Sequence, residues 1–256
     1  MIPGDLAQEL QTPQVPMSTS SEAIFAWFAE CSLPAWIVFS LAGNVAIFLF
    51  SVGLCGLLGY LFRDRPLFDR PQPVTRADLG LACLAVAINT VVAVVGWLLW
   101  KAGWIRITHP AWWRTALDLA LFVGAMDLGM YLSHRLAHHP WLYGVVHARH
   151  HTHAAVNPIS LFVLHPLEVL GFGGLMIALL VLLPLSGAAV LAYLTINVLF
   201  GTLGHAGVEP FPAAWARLPL VRAIGSSSFH AGHHRTPATN FGFYSTVWDR
   251  LFGTLG

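Results

Sequence analysis

Nine histidines of this 256-residue chain fall into three tight clusters and one isolated position, at spacings that suit metal ligation. The first cluster is His134-Arg135-Leu136-Ala137-His138. Residues four apart share a helix face, so both imidazoles can reach one ion. The second is His147-Ala148-Arg149-His150-His151, where positions i, i+3 and i+4 place three imidazoles on one face. The third, His230-Ala231-Gly232-His233-His234, repeats that H-x-x-H-H spacing about eighty residues later. His205 stands between them. Many neutral imidazoles gathered at one place are costly without a compensating ligand, and metal binding is the common reason for such crowding.

Nine imidazoles are too many for one ion, since a structural zinc takes four ligands and a catalytic zinc about three plus water. They suit two ions, each with four or five nitrogens. Imidazole binds iron, zinc, copper and nickel alike, so ligand type does not choose among them. Hydrolytic zinc lacks its general base, because Arg135 stands where H-E-x-x-H carries Glu. Iron is the remaining ion that brings O2 chemistry, although an overexpressed iron site can also load zinc. Asp127 and Tyr131 continue the stripe of His134 backwards and are expected to support catalysis from behind the ligands. Asp127 is either an acceptor for a ligand's N–H or a buried charge needing a partner. His165 and Glu168 stand either behind the ligands or at a helix start, where Pro166 fits the first turn. His109, His139 and His153 read as structural. Asn240 and the segment Trp248–Thr254 read as braces for the third cluster.

The elements that must position these residues belong to a membrane protein. The chain is 56% hydrophobic and 10% charged, with a mean hydropathy of +0.67. Soluble domains carry charge on roughly a quarter of their residues, so lipid must cover much of this exterior. A net charge of +1 leaves no basic stripe for nucleic acid. Cys31, Cys55 and Cys83 show no metal or redox spacing and are too few for an iron–sulfur cluster. A spanning helix needs about 20 apolar residues. Five segments meet or approach that length: Leu33–Phe62, Leu79–Trp100, Thr115–Ser133, Leu167–Leu183 and Gly187–Leu203. The last two form a hairpin broken at Pro184–Gly187.

The expected fold is an all-α integral membrane protein. It has about four to five transmembrane or re-entrant helices and a cytosolic helical cap that carries the histidine clusters. Residues 1–33 form a flexible leader without the basic start of a signal peptide. Residues 34–110 hold the N-terminal spans and loops, and residues 111–256 the catalytic domain. This topology puts ten of the 13 Lys and Arg residues on the histidine side, which makes that side cytoplasmic. The Ala- and Arg-rich style fits a bacterial inner membrane.

Several motifs in order resemble the fatty acid hydroxylase/sterol desaturase superfamily of membrane histidine-box di-iron oxygenases. They are Asp127-x-x-x-Tyr131-x-x-His134-Arg135-x-x-His138, His147-x-x-His150-His151, His165-Pro166-x-Glu168 and His205-Ala206-Gly207-Val208-Glu209-Pro210. Phe229-His230-x-x-His233-His234, Asn240-Phe241-Gly242 and Trp248-Asp249-Arg250-Leu251-Phe252-Gly253-Thr254 complete the set. The resemblance runs from Asp127 onward. It implies two irons on the cytosolic face, O2 as co-substrate, and hydroxylation or desaturation of a lipid C–H bond. One departure is Gly201, where some members carry a second histidine four residues before the lone one. One iron would then have fewer nitrogen ligands, or Asp127 or a water would fill the gap.

The chain shows no haem-attachment motif, iron–sulfur spacing or G-x-G-x-x-G fingerprint, so electrons must come from a ferredoxin or cytochrome with its reductase. Two other readings are a histidine-rich membrane metal transporter and a membrane zinc hydrolase. Transporters place ligands near the bilayer midplane on broken, repeated helices, and here the ligands lie beyond helix ends with no repeat.

Overall fold

The computed structural model describes residues 20–256. The leader as far as residue 19 lies outside the described residues. The rest of it is not a flexible tail: Ser20–Glu30 forms helix α1. Phe25 is the reason, packing edge-on against Trp100 at 5.7 Å and closing on Gly187, where an added Cβ would come within 2.5 Å of its ring. Trp97 Nε1 donates to the Phe28 carbonyl at 2.9 Å, and Lys101 Nζ donates to that of Ala29. Aromatic burial ties down a stretch whose polarity suggested looseness.

Helix α2 (Leu33–Leu61) starts at the Ser32 cap with Pro34 in its first turn. Its 29 residues extend ~44 Å, enough to cross a ~30 Å hydrocarbon core with tilt. Helix α3 (Arg76–Lys101) opens with a reciprocal capping box between Thr75 and Asp78. Helix α4 (Trp112–Ala137) overruns its expected span at both ends and includes His134. Helix α7 (Pro166–Leu182) and helix α8 (Gly187–Gly204) form the hairpin. Four helices, α2, α3, α4 and α8, are long and apolar enough to cross a membrane; α7 is shorter.

Helix α3 packs between α2 and α7, while α4 packs against α7 and α8. Phe122, Met126, Met130, Leu180, Val190 and Tyr193 fill the resulting core. The outward face of α2 leaves Val38, Leu49, Phe50 and Leu57 more than half exposed, a surface that only lipid can cover. At the end away from the histidine clusters, Ile107–Thr108 (β1) pairs in parallel with Leu185–Ser186 (β2). Asp118 secures that end by accepting from Ser186 N at 2.8 Å and from Arg114 Nε at 2.8 Å.

The other end carries the cap. It holds the short helices α5 (Pro140–Val146), α6 (Ala148–His151), α9 (Ser227–Arg235) and α10 (Val247–Phe252). The connection between α2 and α3 straps across it: Leu67 N donates to Gly207 O at 3.0 Å and Gln72 N to Ala155 O at 2.9 Å. Five apolar helices with a helical cap match the expected all-α membrane architecture.

Candidate metal centre

Proline places the first ligands. The residue before a proline disfavours helix, so α4 stops short of His139-Pro140 and leaves His134 in its last turn with His138 as its C-cap. His139 instead opens α5, its Nδ1 accepting from Trp141 N at 3.5 Å. His147 sits at the break between α5 and α6, His150 and His151 lie in α6, and His205 caps the C-terminus of α8. Helix α9 is capped by Ser226, whose hydroxyl accepts from Phe229 N at 3.2 Å, and carries His230, His233 and His234.

All nine histidines converge, in two groups. His134, His138, His147, His151 and His233 form one; His150, His205, His230 and His234 form the other. Within each group the potential ligand atoms all lie within 4.8 Å of one another. The H-x-x-H-H clusters therefore do not each serve one ion: His147 and His151 part from His150, and His233 parts from His230 and His234. Adjacent helical residues diverge by about 100°, so His150 and His151, or His233 and His234, face different groups. The break at His147 turns that residue off the face it would share with His150 in a continuous helix.

The donor set fits cations. His134 Nδ1 donates to Phe241 O at 2.9 Å and His233 Nδ1 to Thr239 O at 2.7 Å. In the second group His150 Nδ1 donates to Val163 O at 3.3 Å and His205 Nδ1 to Gly201 O at 3.0 Å. A carbonyl can only accept, so each of these four neutral rings turns a bare Nε2 lone pair toward its group. Nε2 of His134 lies 3.0 Å from that of His147, as does Nε2 of His233 from that of His151. Two nitrogens ~2.1 Å from a shared ion and at right angles to it stand about 3.0 Å apart. Among the described residues, none hydrogen-bonds the buried Nε2 of His138.

The rings are neutral. Burial holds His147 down to about 4, and burial opposed by the Gly201 carbonyl holds His205 at about 4. Burial with neighbouring imidazoles takes His151 to about 3 and His138 to about 2. The same causes put His150, His230, His233 and His234 well below the ordinary value. Neutral imidazole is the form that ligates a metal.

The surrounding residues divide differently from the sequence reading. Glu168 lies behind a ligand, Oε1 2.6 Å from His147 Nδ1. His165 is a helix start, its Nδ1 accepting from Leu167 N at 3.2 Å. Asp127 contacts no imidazole. Its carboxylate accepts from Tyr244 N (3.1 Å), Ser245 N (3.2 Å), Ser245 Oγ (2.5 Å) and Trp248 Nε1 (3.0 Å), so it is a buried charge whose donors lie in the C-terminal segment. It is not free to fill a gap in the second group. The Tyr131 hydroxyl pairs with Thr254 Oγ1 at 3.0 Å and accepts from Arg135 at 3.2 Å, again away from the ligand nitrogens.

Asn240 adopts φ of +61° and donates from Nδ2 to the Phe229 carbonyl at 3.3 Å, which braces α9. Asp249 accepts from Phe241 N at 2.8 Å and Gly242 N at 2.7 Å, fixing the segment that supplies the His134 acceptor.

Sequence reasoning passed over Asp78. This fully buried carboxylate accepts from Arg149 at 2.5 Å and lies 3.3 Å from His153 Nε2. It ties both flanks of His150-His151 to α3, and the Thr75-x-x-Asp78 capping spacing was the available signal.

Membrane-crossing helices that end in two buried imidazole groups define an integral membrane protein equipped to hold metal ions. The fatty acid hydroxylase family model matches residues 119–254, more than half of the chain, and the chain belongs to that family. It is a lipid-modifying membrane enzyme of the hydroxylase/sterol desaturase group. Among its relatives is the very-long-chain aldehyde decarbonylase GL1-8 of Oryza sativa subsp. indica, 27% identical over 93% of this chain and 91% of that one. The Delta(7)-sterol 5(6)-desaturase of Leptosphaeria maculans is 26% identical over 87% of this chain and 62% of its own. GL1-6 of the same rice is 31% identical, over 56% of this chain and 24% of its own. No solved structure matches the chain significantly.

Proposed function

We propose that this protein is a non-haem di-iron oxygenase that hydroxylates or desaturates an unactivated C–H bond of a membrane lipid, using O2 and external electrons. The observation that carries this reading is the division of nine imidazoles into groups of five and four. His134, His138, His147, His151 and His233 would hold one iron, and His150, His205, His230 and His234 the other. When bound, the irons supply the O2-dependent oxidation of the C–H bond.

The chain's own residues do the rest. Main-chain carbonyls and Glu168 hold the ring orientations, Asp78 anchors the second cluster, and Phe241 packs against His134, His138 and His233 to keep water from that side. The apolar helices present the lipid body to the ligand end, which the arginine distribution assigns to the cytoplasm. Composition favours a bacterial inner membrane. With no redox motif of its own, the chain would receive electrons from a ferredoxin or cytochrome with its reductase. The relatives are named for aldehyde decarbonylation and for sterol desaturation, and family membership favours C–H oxidation.

The test is metal analysis of the purified protein beside His150→Ala and His233→Ala, then lipid-dependent O2 consumption after iron reconstitution. About two metals per chain, with losses in both variants, and a lipid-dependent O2 uptake are expected. Absence of bound metal under every loading condition would remove the reading. A zinc-only site with hydrolytic activity would replace it by the hydrolase alternative.

A further inference from the structure

Helix α5, Pro140-Trp141-Leu142-Tyr143-Gly144-Val145-Val146, contains no charged residue. It lies at the ligand end of the spans and packs against both α4 and α7. Trp141 is 86% exposed and Val145 66%. The adjoining last turn of α4 and first turn of α7 present Leu136 and Leu167, each more than half exposed. The lipid-covered surface of α4 and α7 thus continues onto α5. An uncharged helix with an outward tryptophan at this level belongs in the headgroup boundary of a bilayer.

Tyr143 of the same helix reaches the imidazoles. Its ring lies 5.2 Å from that of His138 and 5.8 Å from that of His151, both members of the five-histidine group. Phe241 also touches His138 but is buried, whereas Tyr143 is only partly so. One side chain therefore links the outer surface to the ligands, and it is not latched. The hydroxyls of Tyr131, Tyr193 and Tyr244 are each held by hydrogen bonds, while among the described residues none bonds that of Tyr143. Gly144 beside it adds no cover, since nothing stands within 4 Å of where its Cβ would be.

We infer that a lipid acyl chain reaches the five-histidine group from the bilayer across α5, and that Tyr143 is the side chain it must displace to arrive. The occupant is an acyl chain because the face continues a surface that lipid already covers and offers no charge to a polar partner. That the arriving molecule is a substrate rests on the oxygenase reading above. The bulk of Tyr143 then limits how far a chain advances toward His138 and His151.

The test places the full chain in phosphatidylcholine vesicles containing a fatty acid with a photoreactive diazirine near its chain end, and maps the residues labelled on illumination. The parent should be labelled on the outer face of α5, at Trp141 and Val145, with little label on α6. Tyr143→Ala should raise the label on α6 severalfold, and Tyr143→Trp should leave it at the parent's level or below. Tyr143→Leu gives the same reading as alanine if that variant fails to fold, and label at Leu49 and Phe50 of α2 reports proper insertion. An unlabelled α5 beside a labelled α2, or equal label on α6 in every variant, would overturn the inference. Labelling needs no metal, so a parent that binds none yet labels as expected would overturn the oxygenase reading and leave the route standing.

Discussion

The carboxylate of Glu168 stands 2.6 Å from Nδ1 of His147, and among the described residues it is the only carboxylate in contact with any of the nine imidazoles. Both groups are almost wholly buried. A carboxylate that accepts from Nδ1 of a metal-bound His147 would fix the ring's tautomer and raise the basicity of its Nε2. Glu168→Gln, which keeps the size and loses the charge, should lower metal affinity about 10–100-fold. Competition against a chelator of known affinity checks this, and affinity equal to the parent's would show that the contact does not tune the ligand.

The two groups should empty independently. His134→Ala removes a member of the first and His205→Ala a member of the second, so each variant is expected to retain about one metal per chain. Loss of both metals from either variant would instead mean that the groups assemble as a unit.

Asp127 should matter for folding before it matters for metal. Asp127→Ala orphans the N–H groups of Tyr244 and Ser245 and the indole N–H of Trp248. At ~1–3 kcal/mol for each buried orphan, the destabilisation should reach at least about 3 kcal/mol. A lowered unfolding midpoint in detergent, with early proteolytic release of the segment after α9, is the expected result. A variant of parental stability that had lost one metal would return Asp127 to the ligand set.

Asp78→Asn should disturb the second group more than the first. Its loss of charge weakens the hold on Arg149, which flanks His150, while Thr75 can still cap α3. Chelator titration should show one class of site weakened about tenfold and the other unchanged. Equal weakening of both, or of neither, would mean that the clamp does not act through His150.

Much of this was readable from residue order. The spacing of His134 and His138 needed only one helix face, and the five apolar segments matched their helices to within a few residues, because burial in lipid demands continuous hydrophobicity. The division of His150 from His151 was not readable as a group assignment. It depends on where α5 breaks and on which side of α6 the other elements lie. Asp127 stayed open between two readings because its place on the His134 stripe is a local fact, while its partners Tyr244, Ser245 and Trp248 come from more than a hundred residues away. Asp78 was missed for a related reason: its capping role is local, but its grip on Arg149 spans 71 residues. The helical part of the leader escaped notice because its stability comes from Trp97, Trp100 and Gly187, none of them nearby in sequence.

Four of the imidazoles take their orientation from the carbonyls of Val163, Gly201, Thr239 and Phe241. Every amino acid carries that acceptor, so substitutions at these positions can alter bulk and polarity without deleting the group that steers the ring. The ligand geometry is thereby insulated from drift at the very residues that fix it. The lipid-facing helices can therefore be reworked while the imidazole rings keep their orientation.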